Sequence, residues 1–364
     1  MRLLRGLIKM FKKNRAEQMN YLELHNQKAS RVAKQKAHRK AAIQATYKLV
    51  RNVLVAGSVI GIGVYFFVIW YFREIPLKEI HEFDDAQIVA LVAEVTRPLT
   101  IDDVGFQMDS EYALLINISN GRVLFEHQAD VPTFPASVTK IMTVLIGLES
   151  GALTDPVIVR ADFNELFIAG ALQSGFTYGE QRTLAEILHA IMLPSGAEAT
   201  WALANHVAGD YESFVGLMNE KAQQLGMAQT HFVTATGLHD DDHYTTAHDI
   251  AILLRYALEN PDFKSIFTAR SYELETPNTL GSFLNSTLFM FAPTTVFEGG
   301  EIIGGRTGFT SQAGRCLASL ATDGNDEFIL ITFGAADDGT NPTGHILDAL
   351  LIYEYFLEVE EDGL

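Results

Sequence analysis

The chain has 364 residues, 48% of them hydrophobic and 20% charged, with a formal net charge of -18. That balance provides for one large folded domain or two ordinary ones and excludes a disordered chain. An acidic body also repels a phosphate backbone, so no nucleic-acid partner is expected.

The charge is unevenly distributed. Residues 1–51 carry 14 Lys/Arg against Glu17 and Glu23, whereas the remainder carries 13 bases and 43 acids. Residues 1–51 are therefore predicted as a basic cytoplasmic tail. Its first 13 residues, MRLLRGLIKMFKK, suit either an anionic inner leaflet or a solvated tail. Next comes NVLVAGSVIGIGVYFFVIWYF, 21 uncharged residues at 52–72. As a helix this run spans about 30 Å, the thickness of a bilayer core, with Trp70 and Tyr71 at its distal interface. The basic residues lie on its N-terminal side, so the positive-inside rule places the N-terminus in the cytoplasm and everything after Arg73 outside. A cleaved signal peptide fits less well, because no small-x-small site follows Phe72.

Residues 73–108 are expected as a stalk, with a short amphipathic stretch, AQIVALVAEV, that stops before Pro98. The compact domain is placed at 109–358 and an acidic tail at 359–364. YALLINI and RVLFEHQ read as strands joined through Ser119-Asn120-Gly121, a hairpin signal. A helix is predicted from Val138 to about Glu149, followed by LAEILHAIML, AEATWALANHVA, SFVGLMNEKAQQLG and HDIAILLRYAL. RCLASLAT and EFILITFGA flank Asp323-Gly324-Asn325-Asp326 as a second hairpin, and HILDALLIYEYFL is the last helix. Hairpin, helices, hairpin, helix predicts an α+β fold whose antiparallel sheet draws strands from both ends of the domain, flanked by helices.

Three runs carry chemistry. In Ser137-Val138-Thr139-Lys140 the spacing brings the lysine amine beside the hydroxyl on a helical face, and a serine needs such a base to become a nucleophile. Leu193-Pro194-Ser195-Gly196 puts a second serine on a turn between two helices. Gly304-Gly305-Arg306-Thr307-Gly308-Phe309 offers glycines for close backbone approach at an edge strand, and Arg306 offers a fork for a carboxylate. Cys316 is the only cysteine, which excludes an intrachain disulfide, and it is expected as a small buried hydrophobe. His239, Asp240, Asp241, Asp242 and His243 look like a possible metal site, but no third set of ligands stands at a matching spacing and no metal is assigned.

In this order the three runs resemble the penicillin-binding, serine-type D-alanyl-D-alanine carboxypeptidases, which carry S-x-x-K, then S-x-N, then K-T-G. FPASVTKIMT (134–143), ATGLHDDDHYTTAHD (235–249) and GGRTGFTSQAGRCLAS (304–319) are similar to longer stretches of that family, and the likeness extends over 108–358. It implies the β-lactamase/DD-peptidase-like fold. It also implies a carboxypeptidase of the bacterial cytoplasmic membrane that removes the terminal D-alanine from peptidoglycan stem peptides without a cofactor. Ser137 would be acylated, Lys140 would be its base and Ser195 would relay a proton to the leaving amine. Arg306 and Thr307 would hold the terminal carboxylate, and the backbone N–H groups of Ser137 and Phe309 would form the oxyanion hole beside Gly308. β-Lactams would trap Ser137. Two other readings stay open: a relative that binds muropeptides or partner proteins with little turnover, and a β-lactamase or esterase on the same scaffold.

The chain departs from the pattern at two places. Ala197 stands where the family has Asn, removing a positioned amide; Glu198 is the adjacent polar residue. Arg306 stands where the family has Lys; it cannot lose its proton, and its fixed charge would depress the pKa of a nearby Lys140.

Overall fold

The computed structural model describes residues 97–161, 170–337 and 342–357. The basic tail, the 52–72 segment, most of the expected stalk and the acidic tail lie outside the described residues. The chain divides into two units, one comprising residues 1–97 and 102–106, the other 98–101 and 107–364. Of the first, the described part holds an ion pair between Arg97 and Asp103 at 2.6 Å. The second contains the fold that follows.

The first hairpin forms as β1, Tyr112–Asn117, and β2, Val123–His127, paired antiparallel. Leu99, within the stretch expected as a stalk, already bonds to β2: its N–H donates to Leu124 O (3.0 Å) and its carbonyl accepts from Glu126 N (2.9 Å). β3 (Pro156–Ile158) and β4 (Gln181–Thr183) pair with each other. The second hairpin joins β9, Gly314–Thr322, to β10, Glu327–Ala335. β10 lies against β1, with Tyr112 opposite Phe333 and Asn117 opposite Phe328. Two further strands, β7 (Val296–Phe297) and β8 (Gly300–Thr310), complete a six-stranded sheet in the order β2-β1-β10-β9-β8-β7. The strands from the two ends of the domain are therefore neighbours in one antiparallel sheet. Ala113–Ile116 and Phe328–Ile331 are continuously buried, so both faces of the sheet centre are covered, which explains why these strands read as unbroken apolar runs.

The predicted helices form close to their expected limits. They are α1 (Lys140–Ser150), α2 (Leu184–Met192), α3 (Ala197–Ala208), α4 (Tyr211–Leu225) and α5 (Ala247–Leu258). The short α6 (Pro261–Thr268) and α7 (Thr287–Phe291) come before β8, and α8 (Gly344–Leu357) is the final helix. Their starts are chemically marked. Thr183 and Glu186 form a reciprocal capping box on α2, and Asp210 and Thr246 cap α4 and α5 with their side-chain oxygens. Lys140–Gly147 are all buried, so α1 is a core helix whose buried stretch is apolar apart from Lys140 and Thr143. Asp348 on α8 accepts from the N–H groups of Asp109 (3.0 Å) and Ser110 (2.7 Å) and from the Ser110 hydroxyl (2.7 Å), tying the domain's start to its last helix.

Two elements escaped the sequence pattern. β5 (Ser271–Asn278) and β6 (Gly281–Asn285) form a hairpin outside the main sheet. Each buries one side chain, Leu274 and Leu284, so there was no apolar alternation to read. The helix expected from Val138 begins instead as a 3₁₀ turn, Ala136–Thr139, before α1 proper.

Candidate active site

The 3₁₀ turn sets Ser137 at the head of a buried helix. Ala136, just before it, has φ 47°, a left-handed conformation that costs about 1–3 kcal/mol in a residue with a Cβ. The turn is braced from behind. Thr139 Oγ1 donates to Ala136 O at 2.7 Å, and His243 Nε2 lies 2.8 Å from Thr139 Oγ1. His243 Nδ1 accepts the Val233 N–H at 2.9 Å, so the ring proton sits on Nε2 and donates to the threonine. Gly237 closes the brace: with φ +75°, it packs so tightly that a Cβ there would come within 2.0 Å of Ala136 O. The 239–243 loop thus serves as a scaffold. Among the described residues no group of three or more His, Cys, Asp or Glu is arranged to hold a metal.

Three groups expected to share the chemistry do meet. Lys140 Nζ lies 3.3 Å from Ser137 Oγ, and Ser195 Oγ lies 3.2 Å from it on the other side. Ser195 holds a left-handed conformation, φ 75°, on the turn between α2 and α3. Lys140 is 2% exposed and donates to the carbonyl of Thr236. Its pKa is lowered well below the ordinary lysine value, first by burial and then by the charge of Arg306, with Glu198 opposing. An amine held toward its neutral form has a free lone pair, and it faces the Ser137 hydroxyl.

Arg306 behaves differently from the sequence expectation. It is 1% exposed, and its guanidinium is turned inward. Nε donates to Ser137 O (3.1 Å), Nη1 to Met192 O (2.8 Å) and Nη2 to Ser195 Oγ. It therefore joins the nucleophile's turn, the end of α2 and the second serine. Burial alone lowers its pKa to about 9, which leaves it charged at neutral pH.

Thr307, Gly308 and Phe309 line the same cleft, whose volume is about 310 Å³. β7 pairs only with Gly300 and Glu301, so among the described residues the outer edge of β8 beyond them has no strand neighbour, and its residues line the cleft. Gly308 lies against the nucleophile's turn: a Cβ there would stand 2.8 Å from Ser137 N. Thr307 Oγ1 hydrogen-bonds Thr287 Oγ1 at 2.7 Å.

Ala197 lines the cleft, and its side chain supplies no polar atom. Glu198 does not replace the missing amide. It is fully buried, and its Oε1 accepts from Ser174 N (2.7 Å), Ser174 Oγ (2.7 Å), Gly175 N (2.9 Å) and Phe176 N (3.2 Å), pinning the 174–176 loop. The lysine is anchored instead by the Thr236 carbonyl, a backbone group that no side-chain motif reveals. Cys316 is wholly buried, and burial pushes its thiol up to about 12, so it packs as an inert small hydrophobe.

His243 makes stability depend on pH. Burial lowers its pKa to about 4, below the unfolded value of 6.5. Between those values the unfolded chain binds more protons, so stability falls as pH drops from about 6.5 to about 4, by up to ~3 kcal/mol. Asp348, raised to about 6 by burial, acts in the opposite sense. The comparison that isolates the histidine is therefore wild type against His243→Gln: urea midpoints measured across this range should fall less steeply in the variant.

A fold of this topology sets a serine hydroxyl beside a buried lysine at the edge of an antiparallel sheet, the arrangement of a nucleophile with its base. The sequence profile of the D-alanyl-D-alanine carboxypeptidase family matches residues 97–337, and the chain belongs to that family. It is 33% identical over 236 residues to the D-alanyl-D-alanine carboxypeptidase DacF of Bacillus subtilis, covering 63% of this chain and 58% of that protein. It is 32% identical over 243 residues to DacC of Escherichia coli, covering 64% of this chain and 58% of the relative. The chain thus spans less than two thirds of the length of these relatives. Among solved structures it resembles a Streptomyces DD-transpeptidase, with TM-score 0.59 and 25% identity, over 69% of this chain and 97% of the other. A Mycobacterium tuberculosis D-alanyl-D-alanine carboxypeptidase superposes with TM-score 0.59 and 27% identity, over 69% and 92%.

Proposed function

We propose that the chain is a serine-type D-alanyl-D-alanine carboxypeptidase acting on peptidoglycan stem peptides. The observation that carries this reading is the placement of Ser137 Oγ within 3.3 Å of both Lys140 Nζ and Ser195 Oγ, with the lysine held toward neutrality. Ser137 Oγ attacks the carbonyl of the penultimate D-alanine as its proton passes to Lys140 Nζ. The C–N bond then breaks as Ser195 delivers its proton to the departing amine of D-alanine, and Ser195 regains a proton from Lys140, which returns to its neutral form. Water attacks the resulting ester, releasing the shortened peptide and restoring the Ser137 hydroxyl. Arg306 holds Ser195 and the Ser137 carbonyl in register throughout; its fixed charge favours the neutral amine between turnovers.

The experiment is release of D-alanine from a stem pentapeptide by the full chain, with Ser137→Ala as control. Steady release abolished in the variant is the expected result. Binding of the peptide without release supports the alternative of a muropeptide-binding relative. Rapid turnover of a chromogenic cephalosporin, instead of a lasting acyl-enzyme, supports a β-lactamase.

The substrate class is extracytoplasmic, which agrees with the charge asymmetry around residues 52–72. We place the catalytic domain outside a bacterial cytoplasmic membrane, with 52–72 as a single anchor and the basic tail inside. Among the described residues no helix is long and apolar enough to cross a membrane. A C-terminal reporter active only outside the cytoplasm should be active; silence would contradict the orientation.

A further inference from the structure

We propose that Arg315, on β9, is the residue that takes the terminal carboxylate of the peptide, and that Arg306 only holds the catalytic turn. The inference rests on the carboxypeptidase reading and identifies the cation that recognises the free acid.

Arg306 lines the same cleft, but its donors are already committed. It is buried, and Nε, Nη1 and Nη2 all donate to protein oxygens. Arg315 lies where a carboxylate would arrive. It stands directly across the sheet from Phe309, the residue after Gly308, and Gly308 abuts Ser137. In a D-alanyl-D-alanine peptide the terminal carboxylate is three bonds beyond the carbonyl under attack, roughly 4 Å. One residue along β8 advances roughly 3.3 Å. A substrate laid along that strand edge with its carbonyl at Ser137 and its C-terminus running toward Phe309 presents its acid at the level of Phe309 and Arg315, the pair that faces it across β8 and β9.

The state of the side chain fits an unoccupied anion site. Arg315 lines the cleft, is 23% exposed, and rests with its guanidinium 5.1 Å from the Phe309 ring centroid. Nη2 makes one long ion pair with Asp337, at 3.2 Å. Nε is buried with no hydrogen-bond partner among the described residues. A desolvated donor left unpaired is costly, and a carboxylate satisfies it without breaking the Asp337 pair, because the guanidinium carries five N–H groups. A second unpaired polar nitrogen lines the same cleft. His345, at the start of α8, lines the same cleft, is 3% exposed, and has no partner for Nδ1. Burial and then the charge of Arg315 hold its pKa near 4, which marks the two as neighbours and keeps the ring neutral. Neither residue falls in the motifs that define the catalytic groups.

The test compares two D-alanyl thioesters, identical except that one ends in a free carboxylate and the other in a carboxamide. Wild type should prefer the acid. Arg315→Gln should narrow the acid-over-amide ratio in kcat/KM by about 10- to 100-fold, chiefly through KM, with Arg315→Lys intermediate. Arg306→Gln should slow both substrates and leave the ratio in place. The ratio is internal to each variant, so partial loss of folded protein cancels. A wild-type ratio in Arg315→Gln, or a narrowed ratio in Arg306→Gln alone, overturns the assignment. If wild type turns over neither thioester, the carboxypeptidase reading itself falls.

Discussion

Lys140→Met should slow acylation of Ser137 by about 10³-fold or more, the largest effect expected of any single substitution other than loss of the serine itself. Lys140 Nζ is the base nearest the hydroxyl at 3.3 Å, and its burial leaves little room for water to substitute. Lys140→Arg should fare no better, because a guanidinium does not give up its proton. The measurement is the rate of attachment of a fluorescent penicillin, with thermal melting confirming that each variant is folded. The pH dependence has a definite sign. Acylation requires the neutral amine, so the rate should rise with pH through the lowered pKa of Lys140 and fall on its acid side. Arg306 contributes to that lowering, so Arg306→Gln should move the acid limb to higher pH.

Gly308→Val should cost about 10²-fold or more in kcat/KM while the fold survives. A Cβ at this position meets Ser137 N at 2.8 Å, Ala136 Cβ at 3.1 Å and Val138 N at 3.3 Å. Two of those atoms are backbone, so relief comes only by shifting the turn that carries the nucleophile. β8 is held by β9 along its length, which should keep the disturbance local. Steady-state kinetics with a peptide substrate, set beside circular dichroism, checks this. A variant with wild-type kcat/KM would show that the contact between β8 and the Ser137 turn does not matter to the reaction.

Much of this architecture is visible in the chain itself. Ser119-Asn120-Gly121 and Asp323-Gly324-Asn325-Asp326 mark both main hairpins because turn chemistry is local. α1 to α5 and α8 are visible because each carries a long apolar pattern. Ser137, Lys140 and Ser195 are legible as a set only because three ordered motifs and their flanks resemble a known family; S-x-x-K alone is a frequent chance match, and Ser195 alone reads as an ordinary turn serine. What escaped was of another kind. The Thr236 carbonyl anchors the lysine through backbone, and no residue type announces it. The direction of Arg306 depends on which oxygens surround it once the sheet has formed: the sequence supplies a fork, and the fold points it inward. The path of Glu198 is the same lesson, since a carboxylate next to Ala197 in sequence turns to the 174–176 loop in space. Arg315 reaches the cleft through strand register, opposite Phe309, which a linear motif does not contain.

The central claim is that Ser137 is the nucleophile and that Lys140 activates it. Exposure of the full chain to a β-lactam, followed by intact mass and peptide mapping, tests this most directly. The account predicts one adduct per chain, carried by the peptide containing Ser137, absent in Ser137→Ala and much slower to form in Lys140→Met. An adduct on Ser195, or one that persists in Ser137→Ala, would contradict it.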